Sequence, residues 1–135
     1  MTKRVWVVIG ITLLLSACSN NPSTDFFHAQ NDAKEIETLE KILEKEESTS
    51  ESLSVFFDHQ LVVAVQVQPL SKFQKSKIEK RLQKKVEKEF PNHEVLVSSD
   101  LKIMWELKDL VKKDPNDKAL KKTLKDIQAL AKEET

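Results

Sequence analysis

The sequence predicts an α+β fold: a small open-faced sandwich in which about three strands, a hairpin plus one crossover strand, are packed by helices. Three observations predict it. Two neighbouring runs, "LSVFF" and "LVVAVQVQ", are rich in β-branched and aromatic residues and are separated only by Asp58, His59 and Gln60, which read as a three-residue hairpin loop. Behind them, a lysine-rich segment carries Ile78, Leu82, Val86 and Phe90 at steps of four, the spacing of one helical face. A short apolar run from Glu94 to Ser98 then supplies one more strand, so strand, helix and strand form a crossover unit that returns to the same sheet.

In chain order, Lys3 and Arg4 come first, followed by the uncharged stretch "VWVVIGITLLL" from Val5 to Leu15. Eleven residues are too few to span hydrocarbon, which takes about 20, but they suit a secretory signal. The run ends in Leu15, Ser16, Ala17 and Cys18, which resembles the lipobox of bacterial lipoproteins. That resemblance implies diacylglycerol on the Cys18 sulfur and cleavage just before Cys18, with residues 1–17 as the signal peptide. The small side chains of Ser16 and Ala17 fit a confined peptidase subsite beside the cut bond. Residues 18–31 read as the lipidated cysteine and a flexible tether, because "SNNPSTD" has a composition that discourages regular structure.

From Asp32 the pattern turns helical, with Ile36, Leu39, Ile42 and Leu43 on one stripe and a capping-box spacing between Asp32 and Glu35. This acidic helix either docks on the domain or stands as a stalk, and "STSES" ends it. The second strand run ends in alternation: Val63, Val65 and Val67 face one way, Ala64, Gln66 and Gln68 the other. Pro69 closes the strand. The lysine-rich helix follows, with Ser71 and Gln74 at capping-box spacing and Pro91-Asn92 as its stop. After the short strand, Ser99 or Asp100 begins a helix with Leu101, Met104, Trp105, Leu107, Leu110 and Val111 as its apolar face, broken by "DPND". Leu120, Leu124, Ile127 and Ala131 mark a last helix. Residues 32–135 thus form one domain, with a core at about 52–113 and a helical C-terminal extension at 117–132.

Composition excludes several function classes. Acidic and basic residues balance at 22 each, which argues against nucleic acid as a partner. One cysteine cannot make an intramolecular disulfide. The single glycine, Gly10, precedes Cys18, so nothing after Cys18 can form a glycine-rich phosphate loop. His28, His59 and His93 fall in a linker and two turns, without companions at metal-ligand spacing, and read as solvated turn residues. Ser98, Ser99 and Asp100 lack a glycine-supported elbow and read as a helix N-cap. No catalytic set, metal site or cofactor is expected, and the chain reads as non-enzymatic.

Charge is unevenly spread. Ser19 to Asp58 holds ten acidic against three basic residues, and Lys72 to Phe90 eight basic against three acidic. The two helices can attract each other within the molecule. Alternatively, Lys75, Lys77, Lys80, Arg81, Lys84, Lys85 and Lys88 can meet anionic lipid or cell-wall polymer beside the anchoring membrane.

The segment Leu61 to Lys113, with its alternating strand, lysine-rich helix, short strand and helix behind a lipobox, resembles the core of YhcN/YlaJ-type sporulation lipoproteins of endospore-forming bacteria. The resemblance implies a non-enzymatic protein anchored through acylated Cys18 on the extracytoplasmic face of the spore inner membrane. It implies a structural or interaction role with other spore or envelope proteins that affects germination or outgrowth. The alternative is a general cell-envelope lipoprotein that binds a small ligand or an anionic envelope polymer. A solute-capturing lipoprotein normally closes two lobes on its ligand, and this chain has one domain's length.

Overall fold

A computed structural model describes residues 23–28 and 32–133. Strand β1 (Ser23–His28) is followed by helix α1 (Ala33–Glu44) and the hairpin strands β2 (Thr49–Phe57) and β3 (Gln60–Val67). A 3-10 helix (Pro69–Gln74) leads into α2 (Lys75–Glu89), then come β4 (Glu94–Ser98), α3 (Leu101–Lys112) and α4 (Asp117–Glu133). The fold is α+β, and the expected hairpin and crossover strand form its mixed sheet with helices packed against it.

Strand order follows the chain, β1-β2-β3-β4. The pairs β1–β2 and β3–β4 are parallel, and the antiparallel β2–β3 hairpin joins them. Strand β1 corrects the expected tether: residues 23–28 pair with 51–56 of β2 and extend the sheet. Its start, Ser23-Thr24-Asp25, reads as polar and turn-favouring, and β1 joins the sheet as an edge strand through its register with β2. The rest of the expected tether, and the signal with its lipobox, lie outside the described residues.

Register fixes the two ends of the sheet. Ser23 pairs with Glu51, Glu51 with Gln66, and Ala64 with Ser98. The starts of β1 and β2 therefore share one end with the exits of β3 and β4, and the hairpin turn forms the other. That turn has two residues, Asp58 and His59, rather than three, because Gln60 already pairs with Phe57. Asp58 (φ 55°) and Asp114 (φ 46°) take the left-handed conformation that glycine usually supplies. Aspartate tolerates it because its short polar side chain bonds locally, which is how a domain without glycine still turns.

Both faces of the sheet are covered, so the expectation of an open face is corrected. On one face Phe56, Leu61, Val63, Val65 and Val97 pack against Leu39 and Leu43 of α1 and Ile78, Leu82 and Val86 of α2. On the other, Leu53, Val55, Val62 and Ala64 pack against Ile103, Met104 and Leu107 of α3 and Leu120, Leu124 and Ile127 of α4. Residues 61–65 are buried without a break, the mark of a strand covered on both sides. Helix α4 belongs to this second core rather than extending from it, and α1 is docked rather than a stalk.

Helix starts follow local chemistry. Asp32 caps α1 by accepting the Lys34 N–H at 3.2 Å, and Asp100 caps α3 by accepting the Lys102 N–H at 2.9 Å. The expected Ser71 cap is not formed. Pro69, whose fixed φ suits a first helical turn, starts the winding two residues earlier as a 3-10 helix, and α2 follows without a side-chain cap.

Candidate functional site

Helix α2 presents three surfaces. Ile78, Leu82 and Val86 face the sheet. On the flank toward β4, Gln83 donates to Val95 O at 2.7 Å and accepts the Val97 N–H at 2.6 Å. Its amide thus mimics a neighbouring strand on the exposed edge of β4. One turn earlier, Glu79 Oε2 accepts both the N–H (2.8 Å) and the Oγ–H (2.7 Å) of Ser99.

The third surface carries the basic residues. Arg81, partly exposed, is committed to an ion pair within the fold. Its Nη2 donates to Glu46 Oε1 at 2.7 Å and its Nε to Oε2 at 3.1 Å, a two-pronged pair just beyond α1. Burial pushes the Glu46 carboxyl up, but the Arg81 hydrogen bonds and charge, with the Ser48 N–H, outweigh it and hold the carboxyl below its ordinary range. Arg81 is raised correspondingly by the same carboxylate. This pair realises the attraction between the acidic and basic segments.

The other six residues of the basic set, Lys75, Lys77, Lys80, Lys84, Lys85 and Lys88, have no carboxylate within ion-pair distance among the described residues. All but half-buried Lys75 are exposed. Lys85 and Lys88 line an open cleft of about 400 Å³ between α1 and α2, with Lys41, Lys45, Thr38, Ile42 and Glu89. Lys41 is engaged by Glu37 at 2.6 Å on the exposed face of α1. The cleft can attract anions, but ammonium groups on flexible stems offer charge rather than fixed bidentate geometry.

The remaining candidate residues are accounted for separately. Ser98, Ser99 and Asp100 form the entrance to α3, where Ser98 Oγ accepts the Asp100 N–H at 3.2 Å. His93 is not simply solvated: it is half-buried and meets Phe56 and Phe90 edge-on at centroid distances of 6.0 and 5.7 Å. His59 is exposed in the hairpin turn beside Asp58. Trp105, expected in the core beside Met104, is 67% exposed, whereas Ile103 takes the buried place. Among the described residues no three His, Cys, Asp or Glu side chains converge as a metal site.

Sequence reasoning missed one surface. Leu70 and Phe73 on the 3-10 helix are 96% and 100% exposed. The available signal was phase: Phe73 stands five residues before Ile78, out of step with the stripe at 78, 82 and 86. Among the described residues no helix is long and apolar enough to cross a membrane. Comparison with family models, curated proteins and solved structures finds no match to this chain.

Proposed function

We propose that the protein is a lipoprotein, held on the extracytoplasmic face of a cell membrane by acylated Cys18, and that its domain is a non-enzymatic structural or interaction module. The single observation that carries this reading is the stretch from Lys3 to Asp25: two cations, eleven uncharged residues, Leu15-Ser16-Ala17-Cys18 and a polar exit. Two or three acyl chains hold a protein at a bilayer, whereas one binds only marginally. The resemblance of residues 61–113 to YhcN/YlaJ-type lipoproteins supports a role at the spore inner membrane, with an effect on germination or outgrowth. A reporter active only in the developing spore is the expected expression pattern, and steady vegetative expression favours a general envelope role.

Replacing Cys18 with Ala abolishes incorporation of labelled palmitate and either releases the domain or leaves an unprocessed precursor. A Cys18→Ala protein that still takes up palmitate and fractionates as before refutes the reading. A second reading, binding of an anionic envelope polymer, is favoured by the lysines gathered around Ile42 in the α1–α2 cleft. Salt-sensitive retention of the domain on purified wall polymer distinguishes it.

A further inference from the structure

We propose that Leu70 and Phe73 form a second membrane contact, which sets the domain end-down on the bilayer that holds its anchor. This rests on the acylation of Cys18 proposed above and adds a surface and an orientation to it.

Successive side chains three apart in a 3-10 helix lie over one another, so Leu70 and Phe73 project together from one side of the Pro69–Gln74 helix. Both are almost wholly in solvent, although a large apolar pair ordinarily finds cover. Exposed Lys72 lies between them in sequence, and Lys75 and exposed Lys77 follow. Apolar side chains flanked by lysines match a bilayer surface, where the rings and methyl groups enter the acyl boundary and the ammonium groups meet anionic headgroups.

Topology supplies the independent reason for choosing lipid over other occupants. The 3-10 helix leaves the sheet at the exit of β3, and this is the same end at which β1 begins at Ser23. Cys18 stands five residues before Ser23. Fully extended, that link reaches at most about 18 Å. An acylated Cys18 therefore keeps this end of the sheet, and no other, close to the headgroups. Leu101, 44% exposed, opens α3 at the same end. The hairpin turn at Asp58 and His59, at the far end, is polar.

The test uses the full acylated protein in vesicles of phosphatidylethanolamine and phosphatidylglycerol. Nitroxides are placed by Phe73→Cys and, separately, by Leu70→Cys and His59→Cys. Because all three side chains are exposed, the labels leave the core intact. Labels at 70 and 73 are expected to be more accessible to oxygen than to an aqueous nickel chelate, and the label at 59 the reverse. Lys72→Glu with Lys75→Glu should move the label at 73 outward. Intact mass separately reports acylation. Labels at 70 and 73 as aqueous as at 59 on an acylated protein overturn the contact alone; an unacylated protein overturns the anchor and the contact with it.

Discussion

The two helical layers that cover the sheet are built differently. The α3–α4 layer is held mainly by apolar packing, and the ion pairs Lys113–Asp109 and Lys108–Glu51 lie on partly or largely exposed side chains. The α1–α2 layer has an apolar core of similar kind, but polar side chains also tie it to the rest of the fold: Arg81 to Glu46, Gln83 to the edge of β4, and Glu79 to Ser99. One layer is fixed by shape, the other by shape plus directed hydrogen bonds. The difference teaches why a helix rich in lysine still sits in one register: its few non-lysine polar residues do the positioning, and its lysines remain at the surface.

The largest expected effect is on what the layers share. Leu82→Ala and Leu107→Ala each remove a fully buried side chain, one per layer, and each should cost about 2–5 kcal/mol in denaturant unfolding. A loss below about 1 kcal/mol at either site would mean that its layer is not a packed core.

The next effect separates the layers. Glu46→Gln and Arg81→Ala should each cost about 1–2 kcal/mol, discounted because Arg81 is partly exposed. Glu46 has its carboxyl depressed in the folded state, so its stabilisation is present above the unfolded carboxylate value, about 4.3, and is lost as pH falls through the folded value. The wild-type domain should therefore lose stability on acidification below about pH 4 more steeply than Glu46→Gln does. Parallel acid profiles by circular dichroism would show that the pair contributes nothing.

The smallest effect concerns the sheet edge. Gln83→Ala should cost about 1 kcal/mol and raise amide exchange at Val97, whose N–H the Gln83 side chain accepts. Unchanged exchange at Val97 would remove Gln83 from the edge.

Much of this fold was legible because apolar spacing survives folding. Ile78, Leu82 and Val86 are buried as their i+4 steps require, and Leu120, Leu124 and Ile127 likewise. The second covered face was legible as well, in the unbroken run "LVVAV" at 61–65, but the alternation at 63–68 gave the competing signal of a half-buried strand. Strand β1 was hard to read, since its polar start, Ser23-Thr24-Asp25, continues the turn-favouring stretch before it and only Phe26-Phe27 favours a strand. Glu46 and Gln83 were equally hidden: a carboxylate 35 residues from its guanidinium and an amide 12–14 residues from its strand partners meet only through tertiary structure. Of the candidate site, the basic residues are visible in the sequence as a group, but only geometry separates Arg81 from the six lysines.

The central claim, that Cys18 is the anchored start of the mature chain, is tested most directly by the intact mass of the protein purified from membranes, with fragmentation of its N-terminal peptide. The expected result is a chain beginning at Cys18 and carrying diacylglycerol on sulfur. A chain that retains residues 1–17, or that begins elsewhere with the Cys18 thiol free, would contradict it.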